Sequence, residues 1–239
     1  MDLNSVILTT GCSAGFFKLV NSALKRLPTP HAARGSAWKW RNTSTSFVHS
    51  LITAIWSVLC FYLHPEMAED LISTHSVFSH ALVSVSIGYF LYDFSDMVLH
   101  QEISQCWELL FHHAVVIACF GLAALTRLSL GASPAVALLV EVNSVFLHLR
   151  QALPLPGPRP PTPSRLNSML NLGTYVVFRI STLAWMTRWL VVNRARVPLL
   201  SYTLGSAGMA VMTAMNIVLF YRLLRSDFLL PARDGRKEK

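Results

Sequence analysis

Two adjacent histidines stand inside an otherwise apolar stretch of the sequence. The stretch reads WELLFHHAVVIACF and contains His112 and His113. Histidine titrates near neutral pH, and polar rings at membrane depth are costly. A single histidine in such a run is usually a satisfied core residue, whereas two adjacent ones face neighbouring sides of a helix. We therefore treat His112 and His113 as candidate acid–base residues.

Carboxylates occupy the preceding apolar stretch at helical spacing. The segment SIGYFLYDFSDMVLH places Asp93 and Asp96 three residues apart, with His100 four residues after Asp96. Residues three and four apart lie on one face of an α-helix. The same four-residue spacing separates Glu108 from His112. Four successive apolar stretches carry ionisable groups in this way, counting the two described next.

A third set of polar groups follows in the segment ALLVEVNSVFLHLR. Glu141 and His148 are two helical turns apart, with Ser144 between them, and Arg179 lies in the middle of a later apolar stretch. An antiparallel bundle could direct all these groups into one interior, where acids would pair with His and Arg. Such a cluster either performs acid–base chemistry or holds the bundle in register. For Asp93, Asp96 and Arg179 the two interpretations are equally favoured.

Other chemistries lack their sequence signatures. The histidines do not recur at zinc-motif spacing, so we expect no metal site. Neither a phosphate-binding glycine loop nor a GxSxG segment occurs, and we expect no cofactor. A channel is disfavoured because no filter sequence repeats, and matching halves typical of many transporters are missing.

The composition indicates that the elements carrying these groups lie in a membrane. The chain has 239 residues, of which 53% are hydrophobic and 13% charged, with a mean hydropathy of +0.45. Soluble domains carry about 25% charged residues. The net charge of +8 lies at the ends of apolar runs and in the tail, so it indicates topology rather than nucleic-acid binding. Disordered proteins and most soluble enzymes are excluded.

Apolar runs of roughly 20 residues, the length that crosses a bilayer, predict an all-α, multi-pass transmembrane helical bundle with six to seven spans. The runs are 3–24, 44–63, 77–99, 109–127, 132–150, 168–192 and 199–222. The first run is the least apolar and fits a span, a signal anchor or a cleaved signal peptide.

The connections carry an uneven distribution of positive charge. Segment 25–43 is rich in Lys and Arg, whereas segment 64–76 has neither. The positive-inside rule then predicts that segment 25–43 and the C-terminus are cytosolic. The proline-rich segment 153–165 predicts an extended connector, although its PxxP spacing would also suit an SH3-type partner.

The order of these segments resembles a known membrane domain. WKWRNTSTSFVHS, GYFLYDFSDM, WELLFHHAVV and LLVEVNSVFLHLRQ follow one another as in the TLC domain, which ceramide synthases and translocon-associated proteins share. The resemblance covers roughly 35–230, leaving an N-terminal span with a basic loop (1–34) and a basic cytosolic tail (231–239). The tryptophan-rich basic segment and the short length are most similar to the small TLC domain-containing proteins, type 2 more than type 1.

The ceramide-synthase side of this resemblance implies acyl transfer. There, a histidine pair and two aspartates on the following helix belong to the catalytic motif, and His112 and His113 match the pair by position. Glu141 stands near one aspartate position and Ser144 near the other, so this chain departs from the motif by one acid. The departure puts N-acylation of a sphingoid base in doubt.

The small members of the family imply a different role. Their resemblance implies a regulator of plasma-membrane phospholipid composition and fluidity that limits incorporation of polyunsaturated, membrane-fluidising phospholipids. Two alternatives stay open: a membrane-embedded lipid acyltransferase that uses acyl-CoA, and a non-catalytic partner of a membrane channel or enzyme. The expected partners are membrane lipids, above all phospholipids, and the alternative location is the endoplasmic reticulum. Whether the protein is an enzyme is left open.

Overall fold

The computed structural model describes residues 1–72, 74, 76–126, 133–152 and 162–226. These residues form helices and turns without a β-strand, which confirms the predicted all-α class. The basic tail and most of the proline-rich connector lie outside the described residues. The end of that connector differs from the prediction, because a helix begins at Thr162. Pro163 falls in its first turn, where proline needs no hydrogen-bonded N–H.

The described residues contain ten α-helices in chain order. They are α1 (Leu3–Leu24), α2 (Ala37–Leu63), α3 (Glu66–Glu69), α4 (Val77–His100), α5 (Ile103–Thr126), α6 (Ser133–Ala137), α7 (Glu141–Ala152), α8 (Thr162–Thr174), α9 (Ser181–Val192) and α10 (Leu199–Leu224). A 3₁₀ turn at His31–Ser36 precedes α2, and another at Leu138–Val140 joins α6 to α7. A π-helical turn at Tyr175–Ile180 joins α8 to α9.

Five of these helices are long and apolar enough to cross a membrane, namely α1, α2, α4, α5 and α10. The other two predicted runs are helical as well, but each is divided. Run 132–150 becomes α6, a 3₁₀ turn and α7, and run 168–192 becomes part of α8, a π-helical turn and α9. The multi-pass bundle is therefore confirmed. The orientation and the two divided spans remain predictions.

Helix α2 is polar on its inner face and apolar on its outer face. Its buried polar residues recur at helical spacing: Asn42, Thr45, Ser46, His49, Ser50, Thr53 and Ser57. Several hydroxyls donate to the carbonyl one turn earlier, as Ser50 does to Ser46 O at 2.8 Å. The exposed side chains include Leu51, Ile55 and Val58. A soluble helix shows the opposite pattern, so α2 is built for apolar surroundings.

Helix α1 packs tightly along α4. Ser13 Oγ donates to Val85 O at 2.6 Å, and Thr10 Oγ1 donates to Ser84 O at 3.3 Å. Gly88 allows this approach, because a Cβ at that position would overlap Thr10 O and lie 2.6 Å from Ser13 Cβ. Phe17 is fully buried against Tyr89, with ring centroids 5.0 Å apart. In this structure α1 is an integral part of the bundle, which favours a span over a cleaved signal peptide.

Candidate functional site

Arg179 lies buried on the π-helical turn between α8 and α9. Its Nε donates to Asn143 Oδ1 at 2.7 Å, and its Nη2 donates to Ser144 Oγ at 2.7 Å. Its Nη1 donates to Asn216 Oδ1 at 2.9 Å. π-Helical turns inside α-helices are frequent at functional sites. Here the turn carries the guanidinium that joins α7 and α10.

The neighbours of Arg179 complete a hydrogen-bonded network. Asn143 Nδ2 donates to Asn171 O at 2.8 Å, and Tyr175 OH donates to Asn216 O at 2.6 Å. The guanidinium carbon lies 5.5 Å from the centroid of the Tyr175 ring. The three groups that accept hydrogen bonds from the guanidinium are all neutral. The network therefore satisfies a buried cation mainly through amides and hydroxyls.

Asp93 forms a second buried cluster that joins α2, α4 and α5. Its Oδ1 accepts a hydrogen bond from Asn42 Nδ2 at 2.5 Å, and its Oδ2 lies 3.5 Å from His113 Nε2. Asp93 and His113 are both buried. A carboxylate beside one ring nitrogen orients the imidazole and fixes its tautomer. Asp93 thus positions His113.

Asp96 points elsewhere. Its Oδ2 accepts a hydrogen bond from Trp38 Nε1 at 2.9 Å, and its Oδ1 lies 3.4 Å from His100 Nδ1. The two aspartates were expected on one helical face, but they contact different residues. Asp93 is buried, whereas Asp96 is partly exposed. Asp96 connects α4 to the start of α2, away from the histidine pair.

The two adjacent histidines also separate. His113 faces Asp93, whereas His112 lines a cavity of about 150 Å³ between α5, α9 and α10, to which segment 133–141 and Phe90 of α4 also contribute. Most of the walls are apolar: α5 supplies Val115 and α9 supplies Met186, among others. His112 and Glu141 are the titratable acid and base that line this cavity among the described residues, besides the thiol of Cys119.

Glu141 connects the cavity to the arginine network. It stands at the start of α7, directly after the 3₁₀ turn, and is partly buried. Its carboxyl faces the hydroxyls of Ser50 and Ser144 and the guanidinium of Arg179. His112 also lies within electrostatic range of Arg179. An acid and a base therefore line one apolar cavity, and both lie within electrostatic range of a buried cation.

Three buried ring nitrogens near this end have no hydrogen-bond partner within the described chain. They are His49 Nε2, His113 Nδ1 and His148 Nδ1. His49 stacks on Tyr89 with the ring centroids 3.7 Å apart, which holds its ring in place. Buried polar atoms normally find partners. Each of these nitrogens can form a hydrogen bond with water or with a polar group of a ligand.

One expected juxtaposition does not occur. Glu108, four residues before His112, is exposed and accepts two hydrogen bonds from Arg222, at 3.0 and 3.2 Å. Its position near the start of α5 allows it to pair with Arg222 near the end of α10 instead of turning inward. Four-residue spacing within one helix did not decide which partner the carboxylate takes.

Several residues of the site were not singled out from the sequence. Asn143 and His49 are among the most buried polar groups, and Asn42 is buried as well. The polar residues of α2 recur at helical spacing within an apolar run, and that pattern could have identified its inward face. In the described part of the chain, no three His, Cys, Asp or Glu side chains lie close enough together to hold a metal ion.

Comparisons with known proteins agree with the architecture. The family model of the TLC domain matches residues 39–225. The chain is 69% identical to TLC domain-containing protein 2 of Danio rerio over 241 residues, covering 100% of this chain and 98% of that protein. No solved structure matches.

More distant relatives extend the same picture. Identity to human TLC domain-containing protein 2 is 39% over 223 residues, covering 93% of this chain and 84% of the relative. Identity to TLC domain-containing protein 1 of Gallus gallus is 35% over 228 residues, covering 94% and 89%. The matched region includes every residue of the arginine network, the aspartate cluster and the cavity. The chain belongs to the TLC-domain family of multi-pass membrane proteins.

Proposed function

We propose that this protein controls the acyl composition of plasma-membrane phospholipids, limiting polyunsaturated chains, by binding a lipid acyl chain inside the bundle. The observation that carries the proposal is the cavity between α5, α9 and α10, with His112 and Glu141 at its polar end. The resemblance to the small TLC domain-containing proteins supports the link to polyunsaturated phospholipids and membrane fluidity.

The walls of the cavity suit a flexible hydrocarbon. Ligand sites are mostly apolar with a few placed polar groups, and this cavity fits that description. Three methionines line it, at 186, 209 and 212. Methionine is unbranched and adapts to irregular partners. A hydrocarbon chain bound in this cavity would be surrounded by apolar side chains instead of lipid tails.

The polar end suits the head of a lipid chain. An ester or carboxyl group needs hydrogen-bond donors, and the ring N–H of neutral His112 supplies one. Arg179 lies within electrostatic range of both His112 and Glu141, which favours a partially negative oxygen at this end. An acyl chain would thus enter with its carbonyl toward His112 and its methyl end toward the apolar walls.

A second candidate function is acyl transfer, which the shared placement of His112 and Glu141 in one cavity favours. His112 would take the proton from an amine or a lysophospholipid hydroxyl as that group attacks the thioester carbonyl of acyl-CoA. The new amide or ester forms as the carbon–sulfur bond breaks, and the leaving thiolate receives a proton. Glu141 would orient His112, the base, while Asp93 would hold the ring of the neighbouring His113.

The test uses cells that lack the protein, grown under a polyunsaturated fatty-acid load. Wild-type protein should lower polyunsaturated phospholipids and make the plasma membrane less fluid. His112→Gln keeps similar bulk and hydrogen bonding but removes proton transfer near neutral pH. The matched control is His100→Gln, because His100 is exposed at the end of α4. Phospholipid profiles are measured by mass spectrometry.

The outcomes separate the candidates. Identical lipid profiles with and without wild-type protein would contradict the proposed function and favour a non-catalytic partner role. A folded His112→Gln/His113→Gln protein with full lipid activity would eliminate acyl transfer while leaving chain binding intact. Loss of activity in His112→Gln alone, together with transfer of a labelled acyl chain by wild type, would support the enzyme.

A further inference from the structure

We propose that Gly205 sets the length limit of the acyl chain that the cavity holds. The proposal rests on the proposed function, since it concerns the chain bound in that same cavity. Gly205 lies on α10 and lines the cavity beside Leu190 of α9.

The geometry of α5 and α10 gives the cavity a direction. The two helices run antiparallel: Glu108 pairs with Arg222 at one end, while Cys119 lies against Gly208 further along. His112 is close to the first of these levels. Seven residues separate His112 from Cys119, about 10 Å along a helix. The cavity therefore extends from a polar end at His112 toward an apolar end near Cys119.

Gly205 stands at the apolar end. It is the first of four α10 positions that line the cavity, followed by Gly208, Met209 and Met212. These positions share one helical face. Leu204 O lies 3.9 Å from Cys119 Sγ, which places residue 205 beside the level of Cys119. The methyl end of a bound chain would reach this level.

Gly205 and Gly208 lie on this face but have different surroundings. A Cβ added at Gly208 would lie 2.9 Å from Cys119 Sγ, so Gly208 permits close packing of α5 on α10. A Cβ added at Gly205 would meet only Leu190, at 3.8 and 3.9 Å, which is ordinary contact. The missing side chain at Gly205 therefore leaves space in the cavity rather than relieving a helix contact. A larger side chain there would occupy the place of the terminal carbons.

The experiment identifies the acyl chains that copurify with the protein. Wild type, Gly205→Ala, Gly205→Val and Gly205→Leu are purified in detergent, and bound lipids are extracted and analysed by mass spectrometry. The matched control is Gly121→Leu, because Gly121 lies on α5, does not line the cavity and has open space at its Cβ. We expect progressively shorter chains from Ala to Val to Leu, with loss of the longest chains found on wild type. Gly121→Leu should retain the wild-type distribution.

Each outcome decides between the two proposals. An unchanged chain-length distribution on folded Gly205→Leu protein, with wild type carrying acyl chains, would overturn the role of Gly205 and leave the proposed function standing. If Gly205→Leu does not yield folded protein, an unchanged distribution on Gly205→Val has the same meaning. Wild-type protein without any bound acyl chain would contradict the proposed function itself.

Discussion

The helix pair α1–α4 and the helix α10 differ in how much of their surface packs against other helices. In the most apolar window of α4, 56% of the residues are buried inside the protein, whereas in α10 the share is 11%. Helix α4 packs through Gly88, Ser84 and Ser86, and it contributes the buried Asp93. Helix α10 instead exposes large side chains such as Ile217 and Leu200 and borders the cavity.

The difference in packing indicates different roles for the two regions. Close approach of backbones and interhelical hydrogen bonds hold membrane helices together, because lipid tails are as apolar as leucine. The α1–α4 side uses both devices, through Gly88 and through the hydrogen bonds from Thr10 and Ser13 to α4. The α10 side relies on few anchors, chiefly Asn216 with Arg179 and Arg222 with Glu108. We infer that the first region is a scaffold and that the second can accommodate a lipid chain.

The largest expected effect concerns the anchor that joins the two regions. Arg179→Met removes three interhelical hydrogen bonds and leaves Glu141 without its nearby cation. Interhelical hydrogen bonds in membranes average roughly 0.6 kcal/mol each, and a buried acceptor left without a donor costs about 1–3 kcal/mol more. We expect a loss of about 2–5 kcal/mol in the free energy of unfolding, measured by unfolding in detergent.

The control for this change is Arg188→Met. Arg188 is exposed on α9, so the same loss of charge and gain of apolar surface occurs outside the network. Its effect should stay within about 0.5 kcal/mol. Equal effects of the two substitutions would mean that the arginine network does not anchor the bundle.

A smaller effect on stability is expected for alanine substitutions at Gly88 and Gly205. Gly88→Ala should destabilise the protein by about 1–3 kcal/mol, because the new methyl group overlaps Thr10 O and forces α1 away from α4. Gly205→Ala meets only ordinary contacts and should be neutral, or stabilising by up to about 1 kcal/mol through helix propensity. Thermal unfolding of both variants under identical conditions is the measurement. A Gly88→Ala protein as stable as Gly205→Ala would remove the contrast between the regions.

The smallest effect concerns the ion pair at the end of α10. Glu108 and Arg222 are both exposed. Exposed ion pairs contribute little, typically below about 1 kcal/mol. Glu108→Gln should therefore lower the free energy of unfolding by less than that amount, and added salt should reduce the difference further. A loss as large as that of Arg179→Met would show that α10 depends on this pair, contrary to our account.

Much of the fold could be predicted from the sequence because apolar runs must form helices in lipid. All seven predicted runs are helical where the structure describes them. The breaks inside two of the runs were not predicted. Periodicity alone does not distinguish an α-helix from one that contains a 3₁₀ or π-helical turn, and such turns follow from tertiary contacts.

The site was less predictable. The sequence indicated which residues are costly in a membrane, but not how they are paired. Asp93 took Asn42 and His113 as neighbours, and Arg179 took Asn143 and Asn216. Asn216 stands out as a polar residue in an apolar run, but Asn42 and Asn143 carry no charge signal, so reading the sequence for charged residues overlooks them as partners. The division between His112 at the cavity and His113 at Asp93 depends on the rotation of α5, which sequence spacing does not specify.

The central claim is that an acyl chain occupies the cavity beneath His112 and Glu141. The most direct measurement is photocrosslinking of the membrane-embedded protein with a phospholipid that carries a diazirine at the end of one chain. Excess unlabelled phospholipid serves as competitor. The crosslinked peptides are then identified by mass spectrometry.

Competitor-sensitive crosslinks should fall on the cavity walls near Cys119, Leu190 and Gly205, and Gly205→Leu should abolish them. Crosslinks to the lipid-exposed faces of α1 and α2 should be insensitive to competitor. Crosslinks that spread over all exposed helix faces, with none on the cavity walls that the competitor removes, would contradict the account.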